Sequence, residues 1–111
     1  MESLENLRGQ LDEIDREIVS LYERRMSICG QVGEYKVETG RKVFDREREK
    51  EKLQDVESMA SSDFNRKGIR ELYQQLMSMS RKLQYRLLVE AGALERLPFI
   101  EVDSLKVERA R

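Results

Sequence analysis

LENLRGQLDEIDREIVSLYERRMSICGQVGEYKVETG, residues Leu4 to Gly40, decides the fold. Apolar side chains recur along it in steps of three and four, at Leu4, Leu7, Leu11, Ile14, Ile18, Leu21, Ile28, Val32 and Tyr35. That spacing predicts one long amphipathic helix whose apolar stripe packs against other helices. Arg25 fills the one rung of this ladder that would otherwise be empty, where a leucine belongs. A charge in such a seam is costly unless something opposite neutralises it. Either the protein provides that partner, or an anionic ligand does.

Ser3 is placed to cap this helix, and Gly40 to stop it after about Thr39. At about 1.5 Å per residue the helix is roughly 55 Å long. A compact domain of this size has a radius of gyration of only about 13 Å. One short chain does not cover both ends of such a rod. The length therefore points to a homodimer whose protomers share a core, the alternative being a protruding helix that frays. Gly30 and Gly33 each weaken the helix by about 1 kcal/mol relative to alanine. Close approach of another backbone or a ligand explains them, or they are tolerated weak spots.

Gly40-Arg41-Lys42 reads as a turn, followed by a second helix from about Asp45 to Ala60 with Leu53, Val56 and Met59 facing inward. Ser61-Ser62-Asp63 forms a loop that also caps a third helix, roughly Asp63 to Ala91, whose ladder includes Ile69, Leu72, Tyr73, Leu76, Met77, Leu83 and Leu87. Along one edge, Tyr73, Met77, Ser80, Gln84, Leu87 and Ala91 follow at three- and four-residue steps, so polar side chains interrupt this seam too. After Gly92 the periodicity collapses, Leu97-Pro98-Phe99 breaks the helix, and the remainder reads as a tail or linker. The expected organisation is an all-α, three-helix protomer over residues 4–91 and a tail over residues 92–111.

Composition narrows the function classes. Of 111 residues, 39% are hydrophobic and 39% charged, with one proline and neither tryptophan nor histidine, which fits one soluble helical domain. No apolar run approaches the roughly 18 residues of a membrane span. MESLENLRGQ carries no signal-peptide pattern, so a cytoplasmic location is expected. A formal net charge of −1 offers no global field for nucleic acid, and any cationic site must be local. Cys29 stands alone and reads as a small hydrophobe in a reducing compartment. Without histidine, a Ser-His-Asp or Cys-His centre and a structural zinc site are excluded, and neither metal nor cofactor is expected. Chemistry here must run on charges and hydrogen bonds.

Helical arithmetic groups the candidates. Arg25 and Lys36 are eleven residues apart, about 1,100° of rotation, which returns them to within about 20° of one face at a separation of about 16 Å. Two long side chains there can lean toward one small ligand. Arg8 lies about 25 Å below Arg25 and off that face, so only an antiparallel partner chain could deliver it; by position alone a solvated arginine is the simpler account. Asp45, Arg48 and Glu49 share one face of the second helix. They suit a surface ion-pair network, with Asp45 as a cap, or the presentation of one cation to a carboxylate and one acceptor to a hydroxyl. Ser80 and Gln84 are either a register-setting polar pair or two neutral donors for a ligand oxygen. Three helices that each interrupt their inner face with such groups would together form a buried anion site.

LRGQLDEID (Leu7 to Asp15), YERRMSICGQVGEYK (Tyr22 to Lys36), VFDREREKEKL (Val43 to Leu53) and IRELYQQLMSMSRKLQ (Ile69 to Gln84) resemble the all-helical, AroQ-type chorismate mutases. No one motif is informative singly; the specificity lies in their order and spacing over roughly residues 4 to 90. The resemblance implies an intertwined dimer with two active sites, each built mostly from one chain, and conversion of chorismate to prephenate by a Claisen-type rearrangement. Such chemistry needs the substrate's side chain held over its ring, and donors where the ether oxygen gains negative charge. By resemblance, Arg25 grips a substrate carboxylate within the protomer, Arg8 is donated by the partner, and Arg48 serves a further carboxylate. Lys36 and Gln84 match the donors at the ether oxygen, Asp45 and Glu49 the group around the ring hydroxyl, and Ser80 a substrate-contacting serine. Arg24 lies about 100° from Arg25 and outside the seam.

This chain departs from the pattern in small ways. Lys42 stands where a proline is common, and the loop before the third helix is slightly shorter than in some relatives. Some relatives carry a glutamate where Gln84 stands; glutamine donates at any ordinary pH, so no acid requirement is expected from this position. LPFIEVDSLKVERAR is similar to linkers that lead into a prephenate dehydratase in fused enzymes, with a simple tail as the alternative. A non-catalytic helical dimerisation module explains the ladder equally well, but gives no reason for Arg25, Lys36 and Gln84 together.

Overall fold

A computed structural model describes residues 1–92. The expected tail, with Leu97-Pro98-Phe99, lies outside the described residues apart from Gly92 itself. Three helices follow in order, α1 (Leu4–Thr39), α2 (Arg46–Met59) and α3 (Asp63–Glu90), with no strand among the described residues. Each starts where a short polar side chain can take an orphan backbone N–H. Ser3, Asp45 and Ser62 accept from the N–H groups of Asn6, Arg48 and Asn65, each at 3.1 Å. Asp45 is thus the cap before α2 rather than its first residue. At the other end of α1, Gly40 adopts the left-handed conformation (φ 71°) and returns its N–H to the Lys36 carbonyl, which ends the helix.

Side-chain contacts set the directions. Arg25 bonds Ser80, and Gly33 lies against Gln84 and Leu87, so α1 and α3 run the same way. Glu57 pairs with Arg70 and Glu49 with Arg81, which makes α2 antiparallel to α3. The core sits where α3, the end of α1 and the following turn meet. Val43, Tyr85 and Leu88 are buried there, with Val37 and Val89 packed on them, and Val56 and Met77 are buried nearby. Met59, expected to face inward, is 77% exposed at the last residue of α2, where nothing from α3 covers it.

The apolar ladder of α1 does not face this core. All nine of its residues are between 43% and 60% exposed, and residues 1–21 are exposed without exception. A neighbouring face, with Tyr22, Met26, Cys29, Gly30, Gly33 and Val37, turns toward α3. The molecule is accordingly a rod, 60 × 26 × 26 Å, with a radius of gyration of 17.3 Å.

Only one of the two α1 glycines in this contact is required by space. A Cβ on Gly33 would stand 2.9 Å from Leu87 Cδ1 and 3.0 Å from Gln84 Cγ. A Cβ on Gly30 would meet Leu83 Cδ2 at an ordinary 3.7 Å. Gly30→Ala is therefore expected to stabilise the protein by up to about 1 kcal/mol through helix propensity. Gly33→Ala should destabilise it, because overpacking of about 1–3 kcal/mol exceeds that gain. Thermal unfolding followed by circular dichroism checks both, and equal gains would mean that Gly33 does not set the helix spacing.

Candidate active site

Between the second half of α1, the start of α2 and the second half of α3 lies a cavity of about 240 Å³. Seven of the eight expected residues line it: Arg25, Lys36, Asp45, Arg48, Glu49, Ser80 and Gln84. Arg8 does not; it sits exposed on the uncovered part of α1.

The Lys36–Gln84 side of the wall is tightly bonded. Lys36 Nζ donates to the Val43 carbonyl at 2.7 Å and to Gln84 Oε1 at 3.1 Å. Gln84 Nε2 donates to the Cys29 carbonyl at 3.1 Å. A donor on one side and an acceptor on the other orient the amide unambiguously. Gln84 Nε2 has a second N–H, and no partner for it occurs among the described residues. Gln84 is only 6% exposed, so its position is held by packing as well as by hydrogen bonds.

Arg25 is surrounded by neutral groups. Its Nη1 donates to Ser80 Oγ at 2.9 Å and approaches Cys29 Sγ at 3.8 Å, while its guanidinium lies 5.8 Å from the centre of the Tyr73 ring. Ser80 in turn donates to the Leu76 carbonyl at 2.9 Å, so this buried hydroxyl is satisfied on both counts. No carboxylate pairs with Arg25 among the described residues. The arginine that looked misplaced in an apolar seam is held by polar neighbours while its charge stays uncompensated.

On α2 the trio does not pair within itself. Asp45 caps the helix, Glu49 binds Arg81 across to α3, and neither Arg48 nor Lys52 makes an ion pair among the described residues. Five cationic side chains (Arg25, Lys36, Arg48, Lys52 and Arg81) and two carboxylates (Asp45 and Glu49) line the cavity. A nearly neutral chain thus concentrates positive charge at one place, suited to a small polyanion. Lys52 and Arg81 line the cavity without standing out in the sequence, and Cys29, read there as a small hydrophobe, lines it too. Arg81-Lys82 resembles an ordinary solvated pair, yet Arg81 stands four residues after Met77 and three before Gln84, on the cavity face.

The family model described as chorismate mutase type II matches residues 7–85, a span that contains all eight expected residues. The T-protein of Haemophilus influenzae is 39% identical over 54 residues, 49% of this chain and 14% of that protein. The matched segment is therefore a small part of the relative's length. No solved structure matches.

Because its bonded neighbours are neutral, removing Arg25 costs one hydrogen bond between α1 and α3 and leaves no carboxylate unpaired. Arg25→Leu is expected to melt no lower than the unsubstituted protein, since Ser80 keeps its bond to Leu76. A loss of roughly 3 kcal/mol, the scale of a broken buried ion pair, would mark the arginine as structural.

Proposed function

The chain belongs to the chorismate mutase type II family, and on that basis we propose that its cavity rearranges chorismate to prephenate in the synthesis of phenylalanine and tyrosine. The observation that carries this is the convergence of Arg25, Lys36, Arg48 and Gln84 on one cavity whose cations outnumber its carboxylates. Arg25 and Arg48 take the substrate's two carboxylates, with Ser80 holding the Arg25 guanidinium and contacting the substrate beside it. As the ether bond breaks, its oxygen becomes negative. Lys36 Nζ and the second N–H of Gln84 are directed at that oxygen, a stabilisation that is strongest in the transition state. Asp45 and Glu49 receive the ring hydroxyl. No nucleophile or general base enters, because the reaction only redistributes bonds within one molecule. Positioning and preorganised charge supply the acceleration.

The site as one chain builds it lacks Arg8, and the same chain leaves its apolar ladder uncovered. Both are met by an intertwined homodimer in which the ladders of two α1 helices pack together and each chain lends Arg8 to the other's cavity. Half-burying a leucine or isoleucine is worth about 1 kcal/mol, so the seven such positions of the ladder on each chain favour association strongly. A cytoplasmic location suits this role; no described helix is long and apolar enough to cross a membrane. The matched segment is a small share of the T-protein, and a prephenate dehydratase joined to this mutase would consume the product directly.

Mixed dimers test the shared site. Arg8→Ala and Arg25→Ala chains, each inactive alone on chorismate, should on mixing regain about a quarter of the unsubstituted activity, since half the dimers carry one intact site. No recovery would remove Arg8 from the site. Gln84→Glu tests the donor role. Its carboxyl donates only when protonated, and beside Lys36 the ionised form is favoured. Activity of this variant should fall as pH rises, a fall that glutamine at this position does not impose. A variant as active at pH 8 as at pH 5 would exclude donation from position 84.

A further inference from the structure

We propose that Arg81 is a positioning residue for the rearrangement, acting by fixing the carboxylate of Glu49 at the cavity wall. The role rests on the mutase function above and adds a residue that function does not require.

Arg81 Nη1 donates to Glu49 Oε1, a bond that joins α3 to α2. Both side chains are only about one-fifth exposed, at 23% and 21%. The guanidinium also lies over the Phe44 ring, 4.9 Å from its centre. Phe44 follows Val43, whose carbonyl accepts from Lys36. Ring, carboxylate and helix together leave the guanidinium one place to be, and a planar guanidinium stacked on an aromatic face is well suited to such clamping.

The consequence falls on Glu49. A glutamate side chain has three rotatable bonds, and two other cations stand near it on α2, Arg48 next in sequence and Lys52 one turn on. Glu49 at i and Lys52 at i+3 are neighbours on a helix surface and would pair in the absence of a better partner. Arg81 is that better partner. It takes Oε1, while Oε2 of this cavity-lining carboxylate has no partner among the described residues. It also keeps Glu49 from neutralising Lys52, which stays without an ion pair among the described residues. One arginine thus orients the acceptor and preserves a cation for the substrate.

A simple staple between α2 and α3 makes a different prediction. The test is a double-mutant cycle on the full chain, Arg81→Leu, Glu49→Ala and both together, with steady-state chorismate kinetics and thermal unfolding on each. If Arg81 acts through Glu49, Arg81→Leu lowers kcat/KM by roughly tenfold to a hundredfold, mostly in kcat, as misplacement of a reacting geometry does. In the Glu49→Ala background it then costs less than about twofold, because the group it positions is already gone. Arg81→Lys should recover part of the loss, keeping the charge but not the planar stack. Arg81→Gln carries the same cycle should Arg81→Leu fail to fold. Losses that add across the cycle, or unchanged kcat/KM in Arg81→Leu, overturn the positioning role and leave the mutase function standing. Absence of chorismate turnover in the unsubstituted chain overturns the mutase function itself, and this role with it.

Discussion

A missing methyl group at residue 33 sets the distance between α1 and α3, and the cavity depends on that distance. The Cα of Gln84 lies only 3.5 Å from where a Gly33 Cβ would be. At that separation Gln84 Nε2 reaches the Cys29 carbonyl one turn before Gly33, and Oε1 meets Lys36 one turn after it. Lys36 then reaches the Val43 carbonyl and draws the turn before α2 against the same wall. A helix-weakening residue in mid-helix is thus the condition for three elements to share one hydrogen-bonded corner. The cost of about 1 kcal/mol in helix propensity is small beside the cost of leaving those buried polar groups unpaired.

Against that rigid corner stands an excess of positive charge. Arg25 is held by a hydroxyl, a thiol and an aromatic face, which fix its direction without cancelling its charge. Placing a carboxylate opposite would stabilise the fold and remove the cation from use. The carboxylates present are otherwise engaged, Asp45 at the start of α2 and Glu49 with Arg81. Stability withheld at a cationic cluster is available to whatever anion enters it, the usual relation between an active site and the fold that carries it.

The sequence was most legible where one local rule acts alone. Helix number, the Ser3 and Ser62 caps and the Gly40 stop follow from turn chemistry within a few residues, and they lie where expected. The shared face of Arg25 and Lys36 follows from helix rotation, and both line the cavity. Legibility failed where a residue's role depends on what lies across from it. Periodicity locates an apolar stripe without saying which chain covers it, so Leu21, Ile28 and Val32 stand exposed while Cys29 and Gly33 beside them face α3. Val43, Tyr85 and Leu88 form the core although none belongs to the ladders. Arg81 resembled surface charge because Phe44 and Glu49, which give it a place, are more than thirty residues away. Of the two readings open for the trio on α2, the internal ion-pair network is absent: Asp45 caps the helix and Glu49 pairs with Arg81, since i, i+4 proximity cannot foresee a stronger partner on another helix.

Arg25 also borders a second space, an apolar groove of about 630 Å³ walled by Ile18, Leu21 and Tyr22 of α1 and Leu72, Leu76 and Met79 of α3. The groove opens onto the exposed ladder, and Arg25 lines both groove and cationic cavity. The rung it fills is therefore neither an error in the ladder nor separate from it. In the proposed dimer, whatever apolar surface fills the groove removes water from one side of the guanidinium. Coulomb attraction strengthens several-fold as the local dielectric falls from that of water toward that of a protein interior. Association would then do more than deliver Arg8. It would raise the strength with which Arg25 holds a carboxylate, so that a chain unable to bury its ladder would also grip its substrate weakly. The break in the hydrophobic pattern stands where assembly and binding meet, and a leucine there could serve only the first.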